Sequence, residues 1–318
     1  MKSIIQLVIN FLLLSILFFS CKKEDNSILS VDKPSEQKTI NLTIDGTDRS
    51  FIVYLPTGYN NAGKMPLIFV IHGGSGTPEG MINLANFKPI ADRDKVVLVY
   101  PAGIQKNWND GRPTTPNQLG INDVSFFNQL CDYMITNYSV DGTKIYATGI
   151  SNGGFMSSRL GCELSNRIAA IAVNAATIEA ITIAPNCNPG RPVPALYIHG
   201  TADPLVPFTG GVMTASGTAG GTVLSHFQII DKWVNINGCN ATPTIADLPD
   251  ISNDGTTIKQ RVYSGGTNGS EVVSYVVLNG GHTWPQGYQY LSESIIGKTS
   301  QDMNGCEVIW TFFKRFKR

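Results

Sequence analysis

The strongest constraint on how this chain can fold is a G-x-S-x-G pattern that directly follows an apolar run. The pattern is Gly149-Ile150-Ser151-Asn152-Gly153, and the apolar run occupies residues 144–148. A strand that turns sharply into a helix crowds its backbone, so flanking glycines let a serine occupy a strained, exposed position. The pentapeptide alone is a weak signal, but this context makes Ser151 a candidate nucleophile at the end of a buried strand.

A serine hydroxyl becomes a good nucleophile only when an imidazole accepts its proton and a carboxylate orients that imidazole. The chain has four histidines. His72 and His199 precede glycines at the ends of apolar runs and are expected at the rim of a sheet, whereas His226 lies in a helical pattern and is expected to be partly exposed. His282 remains as the candidate base, because it lies in a loop after the alternating, β-branched run 272–278.

The candidate acid is Asp203, in a loop that follows the apolar run 194–198. Sheet enzymes with this serine motif place their triad in the chain order serine, acid, histidine, and Asp203 fits that order. An Asx turn before the following proline is the alternative explanation for this aspartate. Asp231 is the second candidate acid, but it falls within a helical pattern and is expected to face solvent.

An acyl-transfer site also needs backbone N–H donors for the oxyanion that develops during the reaction. The N–H of Asn152 is one candidate, because Asn152 follows the serine at the start of a helix, where the dipole favours negative charge. The second donor is expected from the glycine-rich turn 72–76, with Gly74 as the first choice and Gly73 and Ser75 as alternatives. A phosphate-binding loop is the competing explanation, but no Lys-Ser or Lys-Thr pair follows these glycines.

Six short motifs occur along the chain in a fixed order, and the last two are the most specific. They are Ile71-His72-Gly73-Gly74, Tyr100-Pro101-Ala102-Gly103, Asn122-Asp123-Val124-Ser125-Phe126, Gly149-Ile150-Ser151-Asn152-Gly153-Gly154, Ile198-His199-Gly200-Thr201-Ala202-Asp203 and Gly281-His282-Thr283-Trp284-Pro285. With them the chain resembles the feruloyl esterase and poly(3-hydroxybutyrate) depolymerase-like branch of the α/β hydrolases, which is related to the first carbohydrate esterase family. The resemblance implies that Ser151 is the nucleophile, Asp203 the acid and His282 the base.

The same resemblance implies a serine esterase that needs no cofactor and acts through an acyl-enzyme. Feruloyl or acetyl esters of plant polysaccharides are the first expected substrates, and poly(3-hydroxyalkanoate) or hydroxybutyrate oligomers are the second. Trp284 and Trp108 are expected to form an aromatic wall beside the ester, with burial in the core as an equal alternative for Trp108. A catalytically inactive, carbohydrate-binding surface lipoprotein is the alternative from another class, but it predicts a broken triad, and none of the three positions is broken.

The cysteines predict one disulfide and no metal site. Relatives in the family often pair a cysteine like Cys239 with one before the last strand, but this chain has none there. A bridge between Cys162 and Cys187 is expected, because one lies near the end of the nucleophile helix and the other in a Pro-rich loop after the next strand. Cys131 and Cys306 are left unassigned. No pair of cysteines or histidines has the close spacing of structural zinc ligands.

The amino terminus predicts export. Lys2 precedes the uncharged run 3–20, and the small residue before Cys21 resembles a bacterial lipobox. We therefore expect a lipoprotein-type signal peptide over residues 1–21, with Cys21 lipidated at the outer membrane or cell surface. A secreted form is one alternative. A transmembrane anchor is another, although the apolar run is short for a helix that spans a membrane. The polar residues 22–37 are expected to form a flexible tether, and residues 38–318 the catalytic domain.

Charge and hydrophobic patterning narrow the remaining choices. The chain has 24 basic and 24 acidic residues, so it lacks the electrostatic footprint of a nucleic-acid-binding protein. A neutral ester-bearing polysaccharide or oligomer is the expected ligand. The lipid anchor at Cys21 is the only contact with a membrane that we expect. The protein is expected to be monomeric.

Alternating apolar runs and helical patterns predict an α/β fold, the α/β-hydrolase fold, with a mostly parallel central sheet flanked by helices. A hairpin is expected around Asp45-Gly46. The predicted hairpin strands are 39–44 and 50–55, the predicted buried parallel strands are 67–71, 96–100, 144–148, 168–173 and 194–198, and the predicted helices are 122–138, 152–164, 222–234 and 302–316.

Overall fold

The computed structural model describes residues 33–214 and 220–318. Cys21, the predicted signal peptide 1–21 and most of the predicted tether 22–37 lie outside these residues. The first strand of the described residues begins at Glu36, two residues before position 38, where the catalytic domain was expected to begin.

A ten-stranded mixed sheet forms the centre of the described chain, in the order β1-β2-β4-β3-β5-β6-β7-β12-β11-β10. Its strands are β1 (Glu36–Ile44), β2 (Thr47–Leu55), β3 (Met65–Ile71), β4 (Val97–Pro101), β5 (Val140–Ile150), β6 (Ala170–Asn174), β7 (Ala195–Gly200), β10 (Thr244–Asp247), β11 (Thr257–Tyr263) and β12 (Val272–Leu278); β8 (Gly211–Val212) and β9 (Thr222–Val223) form a separate small hairpin. The strands from β4 to β12 in this order pair in parallel, and antiparallel strands lie at both edges. The expected α/β-hydrolase fold with its mostly parallel sheet is therefore confirmed.

Helices cover both faces of the sheet. They are α1 (Pro78–Leu84), α2 (Lys88–Asp94), α3 (Thr115–Gln118), α4 (Asp123–Asn137), α5 (Asn152–Glu163), α6 (Ile183–Asn186), α7 (His226–Asn237), α8 (Glu293–Ile296) and α9 (Gly305–Phe313). Successive residues of β3 alternate between two apolar clusters: Phe69 packs with residues of α4, α5 and α7, and Ile68 packs with residues of α1, α2 and α9. This two-sided burial explains why the central strands have almost continuous apolar sequences.

Local sequence signals set several element boundaries. Asp45 and Gly46 have φ angles of 50° and 72°, which match the two-residue hairpin turn expected from Asp-Gly. The predicted helix 222–234 begins only at His226, because Ser225 caps it and forms a capping box with Gln228. The predicted helix 302–316 similarly begins at Gly305, after a side-chain cap by Asn304.

The expected disulfide between Cys162 and Cys187 is confirmed and joins α5 to the end of α6. Among the described residues, Cys131, Cys239 and Cys306 are free thiols. None of the helices in this part of the chain combines the length and the apolar character needed to cross a membrane.

Candidate active site

Ser151 lies at the sharp turn between β5 and α5, with φ 54° and ψ −125°. Positive φ is uncommon for a non-glycine residue and persists only where the surrounding structure imposes it. Here the turn is pressed against the end of β3: a Cβ on Gly149 would stand 2.6 Å from the carbonyl oxygen of Ile71, and one on Gly153 would collide with that same oxygen. The two glycines therefore permit the strained turn, as the sequence pattern predicted.

The loops after β7 and β12 bring the candidate acid and base together. His282 Nδ1 lies 2.8 Å from Asp203 Oδ2, and both side chains are buried. The other oxygen, Asp203 Oδ1, accepts hydrogen bonds from the backbone N–H groups of Leu205 at 2.8 Å and Val206 at 2.9 Å. The bond to Leu205 is an Asx turn, which was the alternative explanation for this aspartate, while the other carboxylate oxygen contacts the imidazole of His282.

The surroundings of Asp203 favour its charged form. Burial alone would raise the pKa of this carboxyl, but the charge of His282 and the hydrogen bonds from His199 and His282 hold the pKa well below its usual range. His199 Nε2 lies 3.4 Å from Asp203 Oδ2 and 3.1 Å from the carbonyl oxygen of Val206. His199 therefore contacts Asp203 from the end of β7, in agreement with its expected place at the rim of the sheet.

Ser151 and His282 line one pocket of about 450 Å³, together with Gly74 and Asn152. The structure thus brings the predicted nucleophile and base to one cavity, with Asp203 behind the base. A direct hydrogen bond between the Ser151 hydroxyl and the His282 ring is not among those that the described residues form. Such contacts are often long before substrate binds and tighten in the reacting complex.

The two predicted oxyanion donors lie side by side at this pocket. A Cβ on Gly74 would stand 3.8 Å from the Cβ of Asn152, and one on Gly73 would stand 3.4 Å from the Cβ of Ser151. Asn152 is the first residue of α5, and the first N–H groups of a helix have no intrahelical acceptor. Both backbone positions are therefore suited to an anion beside the serine, although the choice between Gly74, Gly73 and Ser75 stays a prediction.

His72 orders the glycine-rich turn that carries Gly74. Its Nε2 accepts a hydrogen bond from the backbone N–H of Gly103 at 3.0 Å, which leaves Nδ1–H to donate to the carbonyl oxygen of Gly73 at 2.7 Å. Burial lowers the pKa of His72 to about 4, so the ring is neutral at physiological pH. A neutral ring with a fixed tautomer positions the turn and does not act as a base.

The side chain of Asn152 belongs to a buried network that the sequence did not reveal. Its Nδ2 donates to Asp110 Oδ2 at 2.6 Å, and its Oδ1 accepts from the backbone N–H of Trp108 at 2.7 Å. Asp110 also pairs with Arg112 at 2.6 Å. The network ties the start of α5 to the 108–112 loop, and no sequence signal pointed to it.

The aromatic wall expected from Trp284 and Trp108 is not formed, because both rings are fully buried and neither lines the pocket. For Trp108 this is the burial in the core that the sequence left as an equal alternative. Trp108 Nε1 donates to the carbonyl oxygen of His72 at 2.9 Å, which anchors the ring beneath the turn. Trp284 packs edge-on against Phe87 at 6.2 Å between ring centroids. Trp108 directly follows Asn107 and Trp284 lies two residues after His282, and both of these neighbours line the pocket, but burial of the large apolar rings in the core outweighs exposure there.

Other residues at the pocket escaped the sequence analysis. Tyr288 and Tyr290 line it from the segment that follows His282, and the Tyr290 hydroxyl donates to the carbonyl oxygen of His282 at 2.7 Å.

His226, expected to be partly exposed, is instead buried: its ring stacks on Phe208, and its Nε2 lies 2.7 Å from Ser274 Oγ. The first turn of α7 faces the sheet, which explains the burial.

Two further points concern the second candidate acid and possible metal ligands. Asp231, the second candidate acid, is exposed as expected. Within the ranges 33–214 and 220–318, no group of three or more His, Cys, Asp or Glu side chains is arranged to hold a metal ion.

The arrangement of the sheet and its flanking helices is that of the α/β-hydrolase fold. The solved structure of the acetyl xylan esterase from Aspergillus awamori has the same fold, with a TM-score of 0.61 at 13% identity over 87% of this chain and 99% of that chain. No protein-family model matches the chain.

Proteins with similar sequences indicate which kind of enzyme the chain is similar to. Feruloyl esterase D of Neurospora crassa is 26% identical over 290 residues, which cover 88% of this chain and 86% of the relative. Feruloyl esterase B of Piromyces equi is 30% identical over 200 residues, which cover 61% of this chain but only 37% of the relative. The chain is thus similar to feruloyl esterases, as its motifs indicated, and these relatives support a carboxylic ester hydrolase.

Proposed function

We propose that this protein is a serine esterase that cleaves carboxylic esters through an acyl-enzyme. The observation that carries the proposal is the hydrogen bond between Asp203 and His282 at a pocket whose wall includes the strained Ser151 turn. A carboxylate held ionised behind a buried imidazole fixes the tautomer in which Nε2 accepts a proton. The esterase relatives agree with this chemistry.

In the acylation step, His282 Nε2 accepts the proton of the Ser151 hydroxyl while Oγ attacks the ester carbonyl carbon. The carbonyl oxygen becomes an oxyanion, to which the backbone N–H groups of Asn152 and Gly74 donate. The bond from carbon to the alcohol oxygen then breaks, and His282 returns the proton to the leaving alcohol. Asp203 stays ionised and stabilises the imidazolium that forms between these transfers.

Deacylation repeats the sequence with water as the nucleophile. His282 accepts a proton from the water as its oxygen attacks the acyl carbon, and the same two N–H groups bind the second oxyanion. The bond to Ser151 Oγ breaks, Oγ recovers its proton from His282, and the carboxylic acid leaves. The reaction uses only groups of this chain, the ester and water.

Feruloyl or acetyl esters of plant polysaccharides are the substrates we favour. The sequence relatives include named feruloyl esterases, and zero net charge agrees with a neutral polysaccharide. The pocket of about 450 Å³ accommodates an acyl group, while the polymer extends into solvent.

A hydroxybutyrate oligomer is the second candidate substrate, and one observation favours it. Leu291 and Ile295 line the pocket and are 47% and 49% exposed, so they present aliphatic surface where a substrate leaves the cavity. The methyl branches of such an oligomer would bury this surface, whereas a sugar chain would leave it wet.

We also propose that the protein is exported and anchored through a lipid on Cys21. The disulfide between Cys162 and Cys187 supports the proposal, because such bonds persist in oxidising compartments and are rare in the cytosol. Metabolic labelling with a palmitate analogue tests it: label that disappears in Cys21→Ser supports the anchor, and unchanged label contradicts it.

The test of the enzyme activity compares the protein without residues 1–21 with its Ser151→Ala variant. Three substrates are offered: methyl ferulate, acetylated xylan and a short hydroxybutyrate oligomer. Release of ferulate or acetate that is lost in the variant supports the first substrate class, and preference for the oligomer supports the second. Labelling by a fluorophosphonate that persists in Ser151→Ala would remove Ser151 from its assigned role.

A further inference from the structure

Arg112 is an unusual component of the pocket wall, because a charged side chain that is only 3% exposed lines the same cavity as Ser151. A buried charge is stable only when its hydrogen-bonding groups have partners. The acceptors of the guanidinium therefore determine whether it can donate to a ligand.

The N–H groups of the Arg112 guanidinium have acceptors of unequal strength. Nε and Nη2 donate to one carboxylate oxygen, Asp110 Oδ2, at 3.0 Å and 2.6 Å. The acceptor of Nη1 is Met213 Sδ at 3.3 Å, and a thioether sulfur is a weak acceptor. Arg112 and Met213 both line the pocket, and among the described residues Nη1 is the only nitrogen of this guanidinium without an oxygen acceptor.

The guanidinium is held rigidly with respect to the nucleophile. It lies 4.0 Å above the ring centroid of Phe155 on α5, and its partner Asp110 accepts a hydrogen bond from Asn152 Nδ2 at 2.6 Å. Phe155 and Asn152 both belong to the helix that begins directly after Ser151. A donor fixed in this way loses little entropy when it binds a ligand.

We propose that Arg112 is a specificity-determining residue, whose Nη1 donates a hydrogen bond to an oxygen on the acyl group of the substrate. The inference rests on the proposed esterase function. Polymer attached to the alcohol side must extend into solvent, so the part of a substrate that meets a buried wall is the acyl group. Asp110 balances the charge of Arg112, so the matching acceptor is a neutral oxygen, such as a phenolic hydroxyl, a methoxy group or the next ester carbonyl.

Two methyl esters with the same cinnamoyl skeleton test this proposal. Methyl ferulate carries ring hydroxyl and methoxy oxygens, and methyl cinnamate lacks both. A hydrogen bond to a charged donor changes binding by about tenfold or more. In the wild type we expect kcat/KM to favour methyl ferulate. In Arg112→Lys, which keeps the charge but loses the planar donors, the ratio should fall about tenfold because ferulate turnover falls and cinnamate turnover changes little.

Arg49→Lys is the matched control. Arg49 is also buried, pairs with the carboxylate of Asp123 at 2.7 Å and lies over the ring of Phe126 at 3.8 Å, but it does not line the pocket. Its substitution should leave the ratio unchanged. Equal losses on both esters in Arg112→Lys, or the same change of ratio in Arg49→Lys, would overturn the proposal, because either result indicates a purely structural arginine.

A second variant and a binding readout cover the cases in which Arg112→Lys does not fold or no ester is hydrolysed. Met213→Leu removes the sulfur acceptor of Nη1 and should preserve or raise the preference for methyl ferulate; a fall in the ratio contradicts the proposal. In Ser151→Ala, methyl ferulate should raise the melting temperature more than methyl cinnamate. If the wild type hydrolyses neither ester but this difference in melting temperature is present and is lost in the Ser151→Ala, Arg112→Lys double variant, the esterase function fails while Arg112 is still the residue that recognises the ring oxygens. Turnover of both esters without discrimination means that the esterase function stands and the role of Arg112 fails.

Discussion

His282 Nδ1 and Asp203 Oδ2 lie 2.8 Å apart, although 79 residues separate them in the chain. Adjacent parallel strands make this contact: β7 ends before Asp203, β12 ends before His282, and β7 pairs with β12 over residues 195–200 and 272–277. The carboxyl ends of parallel strands lie at one edge of the sheet, so loops distant in sequence meet there. The pairing of β7 with β12 therefore brings the side chains of Asp203 and His282 together.

Asp203→Asn tests this pair directly. The amide retains the shape of the carboxylate but carries no charge and does not stabilise the imidazolium of His282, so kcat should fall by about ten-thousand-fold with little change in folding. Steady-state kinetics on methyl ferulate and circular dichroism measure the two effects. Asp231→Asn, at an exposed position, is the control and should retain full activity. An active Asp203→Asn enzyme would exclude Asp203 as the acid.

The sequence predicted the three candidate triad residues because each lies at the end of a strand, and strand ends and the order of residues along the chain can be read from the sequence directly. Ser151, Asp203 and His282 each follow an apolar run, and the order of the three is visible without a structure. Contacts between buried side chains cannot be read from the sequence in this way. The contact between Asn152 and Asp110 spans 42 residues, and the burial of Trp284 depends on Phe87, so neither leaves a periodic signal in the sequence.

Gly153→Ala should disrupt the serine turn. A Cβ at this position would collide with the carbonyl oxygens of Ile71 and His72, and backbone atoms have no room to withdraw. We expect a loss of about 1–3 kcal/mol in the free energy of unfolding, and a fall in kcat of about a hundredfold as the serine is displaced. Urea unfolding and kinetics provide the readouts. Gly63→Ala, where a Cβ would have nothing within 4 Å, should change neither, and equal effects in the two variants would refute the argument.

Acid should destabilise the fold through His72 before it affects Asp203. Burial lowers the pKa of His72 from 6.5 to about 4. In that range the unfolded chain binds a proton that the folded protein does not, so the free energy of unfolding decreases as pH falls, by about 3 kcal/mol in total. The pKa of His226 is also lowered, chiefly by burial, and acts in the same direction.

Urea unfolding at about pH 7 and about pH 4.5 measures this dependence. His72→Asn is the informative variant, because its amide can still donate to the carbonyl oxygen of Gly73 but does not titrate. The variant should lose less stability on acidification than the wild type, with the remainder due to His226. The same acid sensitivity in both proteins would assign the effect to other groups.

Removing the disulfide should lower stability without abolishing the chemistry. Cys162 and Cys187 are 25 residues apart, and closing a loop of this length stabilises a fold by about 3 kcal/mol in the chain-entropy model. Cys162 lies in the last turn of α5, at the opposite end of the helix from Ser151. The Cys162→Ala, Cys187→Ala double variant should therefore unfold at lower urea concentration yet keep its kcat at low temperature. Reductant should shift the wild type to the same midpoint and leave the double variant unaffected, whereas a wild-type midpoint insensitive to complete reduction would show that the bridge contributes nothing to stability.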